Sequence, residues 1–173
     1  GFQLKEKIKQ WLTEWKYEFQ DMGAFVYDEN DDYPDFIHKA ARKVSEDPEN
    51  SKAIILGGSG QSEAMAANRY KGVRAAVFYG PPFRLFDLLR GNKFFYKIGI
   101  RPSKYFSDLN WRGVYERIIK LTREHNNANI LSLGIFFLWP DNSVKKVIKL
   151  WLETPFSGEE RHKRRIAKID FNS

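Results

Sequence analysis

Ala53-Ile54-Ile55-Leu56-Gly57-Gly58-Ser59-Gly60-Gln61-Ser62-Glu63-Ala64-Met65-Ala66-Ala67-Asn68 runs from an apolar tetrapeptide through a glycine-rich turn into a helix-like segment. A buried strand therefore feeds a turn that opens a helix. Such a turn aims several backbone N–H groups at one point, and the helix dipole adds positive potential there. It suits an anion or a developing oxyanion. It is not the G-x-G-x-x-G fingerprint, because Glu63 stands at the third glycine position, and it lacks the G-K-[ST] of a P-loop. Glu63 falls in the first helical turn, either as a helix-start carboxylate or as a base facing a bound molecule.

Working outward, Leu4, Ile8, Trp11, Leu12 and Trp15 recur at helical spacing and predict a first helix. Tyr17–Met22 alternates and predicts a strand. Pro34 opens a helix bearing Phe36, Ile37, Ala40, Ala41 and Val44. Strands are predicted at 74–79 and 130–138, with a helix near 112–125 between them. Val144, Val147, Ile148, Trp151 and Leu152 mark another amphipathic helix. Ser157-Gly158-Glu159-Glu160 has the pattern of a capping box opening the last one. Strands alternate with helices, and several strands are continuous apolar runs. This predicts a mostly parallel sheet covered on both faces, a three-layer α/β/α sandwich, with ligand bound beyond the carboxyl ends of the strands.

The chain has 173 residues, 42% hydrophobic and 16% aromatic, which is enough for one globular domain. With no cysteine it holds no disulfide and no thiolate metal site, and no His/Asp/Glu group has metal-ligand spacing. The start is amphipathic rather than a signal peptide, and no segment reaches the length of a membrane span, so a cytoplasmic location with no membrane partner is the default expectation. The net charge is +7 and the excess is local. Arg161, Lys163, Arg164, Arg165 and Lys168 carry no acid among them. Such patches suit small anionic substrates as well as nucleic acid.

Three further segments carry a resemblance. They are Asp32-Tyr33-Pro34-Asp35-Phe36, then Arg123-Glu124-His125-Asn126-Asn127-Ala128-Asn129, then Trp151–Phe156 followed by Arg161-His162-Lys163-Arg164-Arg165-Ile166. With the glycine loop and Gly1–Lys5, their order and spacing resemble the type B ribose-5-phosphate isomerase family, which also includes galactose-6-phosphate isomerase subunits. Many members have a cysteine base where this chain has Gly57. The sequence resembles instead the branch with Gly-Gly-Ser-Gly and a glutamate at the position of Glu63. The resemblance implies a Rossmann-like fold, a homodimer with shared sites, a sugar-phosphate substrate, and no cofactor or metal. The sequence departs from the family in two ways. The strand ending in Asp-His that members carry ahead of Gly1-Phe2 is missing from it. An insertion is expected at about 83–112, rich in Phe, Tyr and Lys/Arg; a connection of that length is usually a lid, an interface element or partly disordered. Phe94-Phe95-Tyr96, Tyr105-Phe106 and Trp111 in it suit a small core or dimer contact better than stacking on bases, so no nucleic-acid partner is expected.

Aldose–ketose isomerisation moves a proton between adjacent carbons through an enediolate. By resemblance, Glu63 is the base, and efficient transfer near neutral pH favours a partly dry pocket for it. The backbone N–H groups of Gly58, Ser59, Gly60, Gln61 and Ser62 would cradle the enediolate. Ser62 stands where the family usually has glycine. His125 resembles the proton donor for furanose opening, with Asn126 on a sugar hydroxyl; a lone histidine at a helix end also simply complements the dipole. Arg161 and Arg165 share a helix face and repel unless an anion lies between them, which suits a phosphate; otherwise they belong to a solvated basic helix. His162 is expected to assist them. Phe136 replaces an arginine many members have, and Arg84 is a candidate substitute. Tyr33 and Asp35 suit a sugar pocket or an ordinary helix start, and Asn68 suits support of the loop.

The leading expectation is interconversion of ribose 5-phosphate and ribulose 5-phosphate. The alternatives are a six-carbon sugar-phosphate isomerase and a non-catalytic paralogue that binds sugar phosphate, nucleotide or RNA.

Overall fold

The computed structural model describes residues 1–79, 111–137 and 141–170. The expected insertion, with Arg84 and most of its aromatic residues, lies outside them.

Helix α1 (Phe2–Glu14) is followed by α2 (Tyr33–Glu46), β1 (Ala53–Gly57), α3 (Gln61–Ala67), β2 (Ala75–Phe78), α4 (Trp111–Glu124), β3 (Ile130–Gly134), a single 3-10 turn (Ile135–Phe137), α5 (Asp141–Glu153) and α6 (Glu160–Ile169). Among the described residues the sheet has three strands in the order β1-β3-β2, all parallel. Ala53 pairs with Ile130 and Gly57 with Gly134 on one side of β3, and Ala75 pairs with Ile130 on the other.

The strands are apolar on both faces because helices cover both. On one face Leu131, Leu133 and Phe78 pack with Ile8 and Trp11 of α1, Tyr115 and Ile119 of α4, and Val144, Val147, Ile148 and Trp151 of α5. On the other, Ile55 and Ile130 pack with Ile37, Ala41 and Val44 of α2 and with Ala67 at the end of α3. The α/β sandwich is thus in place, Rossmann-like, with β3 central and wholly buried.

Three local expectations are corrected. Tyr17–Met22 is not a strand. Its alternation has no neighbouring ladder among the described residues, and the segment folds back on α1 instead. Lys5 Nζ donates to Asp21 Oδ2 at 2.7 Å, and Lys9 Nζ lies 3.0 Å from the same oxygen. Strand β3 stops at Gly134 rather than running to 138. A Cβ at Gly134 would sit 2.5 Å from the Ser59 carbonyl oxygen, and the Phe136 N–H donates to the Gly58 carbonyl, so the chain turns over the glycine loop. The capping box does not form. Helix α6 starts at Glu160 with Glu159 as its cap, and the Ser157 hydroxyl is turned to His162.

The amino ends of the strands rest on buried polar side chains. Asn129 Oδ1 accepts the Arg74 N–H at 2.8 Å, and its amide donates to the carbonyls of Pro48 and Gly72. Arg123 donates to Asn127 Oδ1 and to the carbonyls of Ala128 and Thr154. Burial holds the Arg123 guanidinium below its usual pKa, and Arg74 beside it adds to the effect while Glu49 opposes it.

Candidate active site in two halves

The carboxyl ends of the strands carry the first half. Gly60 has φ +75° and caps α3, a conformation open to glycine at little cost. Its carbonyl accepts from the buried Ser132 hydroxyl at 2.6 Å. Ser132 is the single polar side chain in an apolar strand, and that oddity was the available signal for a residue that fixes the loop. Among the described residues, the backbone N–H groups of Gly58, Ser59, Gly60 and Ser62 have no protein acceptor, while the Gln61 N–H donates to Ser59 Oγ at 3.3 Å. The Gln61 side chain reaches Tyr79 Oη at 2.6 Å. Asn68 holds the far end of α3 to β2, accepting the Ala75 N–H and donating to its carbonyl.

Glu63 is 5% exposed although it lies in the first turn of a surface helix. Its side chain folds back over the end of β1. A Cβ on Gly57 would fall inside the Glu63 carboxylate, with Oε2 only 2.5 Å away. Oε2 is buried with no hydrogen-bond partner. A carboxylate that merely complemented the helix dipole would extend to solvent. This one fills the space that a side chain at position 57 would otherwise occupy, at the strand end from which the loop leaves. Phe136 closes the hollow: a Cβ on Gly58 would meet its ring at 2.5 Å, and Phe136 is itself 76% exposed.

The second half lies at the other end of the sheet. His125 follows the last turn of α4, and Asn127 (φ +44°) then turns the chain into β3. The His125 ring lies on that of His162, centroids 4.2 Å apart. Asn126 beside it is exposed. Helix α6 crosses the amino ends of the strands. The Ser157 N–H before it donates to the Glu124 carbonyl, and Asp170 just beyond it receives Arg74 at 2.9 Å. Arg161 and Arg165 are exposed, Arg161 pairing with Glu159 at 2.7 Å and Arg165 having no ion pair among the described residues. His162 is 1% exposed. It is a floor beneath His125 rather than a surface ligand beside the arginines. Tyr33 and Asp35 are exposed at the start of α2.

One chain therefore gathers Glu63 with the glycine loop, and separately His125 and Asn126 with Arg161 and Arg165. The five residues of β3 stand between the two groups, about 16 Å at the rise of a strand. Spacing along the sequence carries no sign of this, because it does not say at which end of a strand a loop emerges.

Residues 1–82 and 114–169 match the model of the family described as Ribose/Galactose Isomerase. The chain is 31% identical over 169 residues to the probable ribose-5-phosphate isomerase B of Mycoplasma genitalium, a match covering 98% of this chain and 87% of that relative. It is 30% identical over 166 residues to ribose-5-phosphate isomerase B of Mycobacterium tuberculosis, covering 96% of this chain and 80% of the relative. Among solved structures, ribose-5-phosphate isomerase B from Mycoplasma genitalium with bound ribulose 5-phosphate superposes with a TM-score of 0.75 at 30% identity, over 99% of this chain and 88% of that one.

Proposed function

The chain belongs to the Ribose/Galactose Isomerase family, and on that footing we propose that it interconverts ribose 5-phosphate and ribulose 5-phosphate through an enediolate, with Glu63 as the base. The observation that carries this is the Glu63 carboxylate, buried and unpartnered at Oε2, set beside a loop with open backbone donors. Glu63 takes the proton from C2 of the open-chain aldose and returns it to C1. The loop N–H groups stabilise the oxygens on which charge develops, a contribution of about 2.7–4 kcal/mol for a well-aimed donor. His125 delivers a proton to the furanose oxygen as its bond to C1 breaks, while the C1 hydroxyl passes its proton to solvent water. Asn126 binds a sugar hydroxyl, and Arg161 and Arg165 hold the phosphate. No cofactor or metal is assigned to these steps.

The working unit in this proposal is a homodimer, each site joining the Glu63 half of one copy to the His125 half of another. Two observations favour it. The halves lie at opposite ends of the same strands. Charge also complements across them: Asp28, Glu29, Asp31, Asp32 and Asp35 belong to the segment near Gly1, which abuts Leu56 at the loop end, whereas α6 brings its basic residues to the other end. An isologous pair would bring the acidic segment of each copy toward the basic helix of its neighbour.

Subunit complementation tests the proposal. Glu63→Gln and His125→Ala are each expected to lose conversion of ribose 5-phosphate. Unfolded and refolded together in equal amounts, they would regain about a quarter of the wild-type rate, since half the dimers are mixed and each has one intact site of two. Recovery of nothing, with both variants folded and dimeric, would show that the halves do not meet. Absence of turnover in the unaltered protein, with ribose 5-phosphate or a six-carbon sugar phosphate, would remove the enzymatic proposal altogether.

A further inference from the structure

Helix α6 is polar nearly all round, and His162 is its only buried residue. An aliphatic side chain would anchor such a helix at lower cost, because a buried imidazole has to be desolvated and partnered. His162 is partnered: Ser157 Oγ lies 2.9 Å from its Nδ1. Its ring underlies His125 at 4.2 Å between centroids, with 37° between the planes. Burial pushes the His162 pKa down, and His125, Arg161 and Arg165 push the same way against Glu159.

We propose that His162 is the positioning residue for His125: tied to Ser157, it holds the His125 ring in one orientation beside Arg161 and Arg165. The assignment rests on the role given to His125 above. It separates His162 from the phosphate-binding arginines with which it shares a sequence motif.

The two substrates distinguish positioning from mere structural support. Ribose 5-phosphate is a furanose and has to be opened, whereas ribulose 5-phosphate is open-chain. His162→Ala is expected to lower kcat with ribose 5-phosphate by about tenfold or more, with little change in KM, since misplaced acid–base groups forfeit factors of this size. Exchange of the C1 proton of ribulose 5-phosphate with solvent deuterium, which uses Glu63 and the loop and requires no ring opening by His125, should stay within about twofold. His162→Phe keeps a ring to stack on and should recover most of the loss. Ser157→Ala leaves the ring but not its tether and should show the same asymmetry, smaller in size. If His162→Ala does not fold, Ser157→Ala and His162→Phe decide the matter. Equal losses with both substrates, or none, in the folded variants would overturn the proposal. A His125→Ala protein lacking the asymmetry would sink the role of His125 itself. The stack has a readout without substrate: the ring-current shifts of the His125 imidazole should collapse in His162→Ala and persist in His162→Phe, and unchanged shifts in His162→Ala would also overturn it.

Discussion

Gly57→Ala is the sharpest perturbation available. Gly57 ends β1 without a positive φ, so alanine meets no backbone strain. What the new methyl meets is the Glu63 carboxylate. The farther oxygen, Oε2, lies 2.5 Å from the Cβ position, and real Cβ atoms essentially never come within 3.0 Å of another heavy atom. The carboxylate as a whole then has to withdraw by on the order of 1 Å, and a misplacement of that size costs about a hundredfold in rate. That is about 2.7 kcal/mol on the barrier. The fold should be untouched, since the group displaced is a carboxylate whose buried Oε2 has no partner. The assay is conversion of ribose 5-phosphate followed by NMR in deuterated water, which reports turnover and proton exchange together, with the thermal midpoint measured alongside. Turnover should fall about a hundredfold with an unchanged or slightly raised midpoint. Combining Gly57→Cys with Glu63→Ala should restore part of the activity, because the thiol would enter the same hollow from the strand side. A folded Gly57→Ala protein with turnover within about threefold of the original would refute the placement of the base.

Three other outcomes are expected. Arg123→Met removes the guanidinium that lies over Trp151 and strips donors from Thr154, Ala128 and Asn127, so urea unfolding should show a loss of about 3 kcal/mol with an unchanged slope. The depressed pKa of His162 means the unfolded chain binds the proton more readily. Its contribution to stability is whole above the ordinary histidine value of 6.5 and is lost as pH falls below it, so the decline in urea midpoint from pH 7.5 to 5.5 should be shallower in His162→Phe. Phe136→Arg changes an exposed side chain, so stability should hold within about 0.5 kcal/mol while KM for a sugar phosphate drops by roughly tenfold, read from initial rates.

Much of the fold was legible because the apolar pattern and the packing agree. Ile54-Ile55-Leu56 and Ile130-Leu131 are apolar on consecutive residues, and in the structure consecutive residues do face different cores. Tyr17–Met22 misled because alternation describes a strand only when another strand lies beside it, and neighbourhood is not written in a local pattern. Ser157 misled because a hydroxyl three residues before a helix start can serve the Glu160 N–H or a side chain; here it lies 2.9 Å from His162 Nδ1 and accepts from the Glu159 N–H only at 3.4 Å. At the candidate site the glycine loop was visible as composition. The collision that makes Gly57 obligatory was not, since it depends on Glu63 folding back by one turn. The division of the site between two ends of the sheet needed the register of β3.

The loop hollow is walled where glycines leave no room for a side chain. Gly57, Gly58, Gly60 and Gly134 each have a carboxylate, a ring or a peptide unit where a side chain would start. Any point substitution there subtracts room, and none can add it. A pocket so made has little freedom to be retuned from within for a longer or shorter sugar. In the proposed function, discrimination between substrates would then fall to side chains bordering the hollow, such as Phe136.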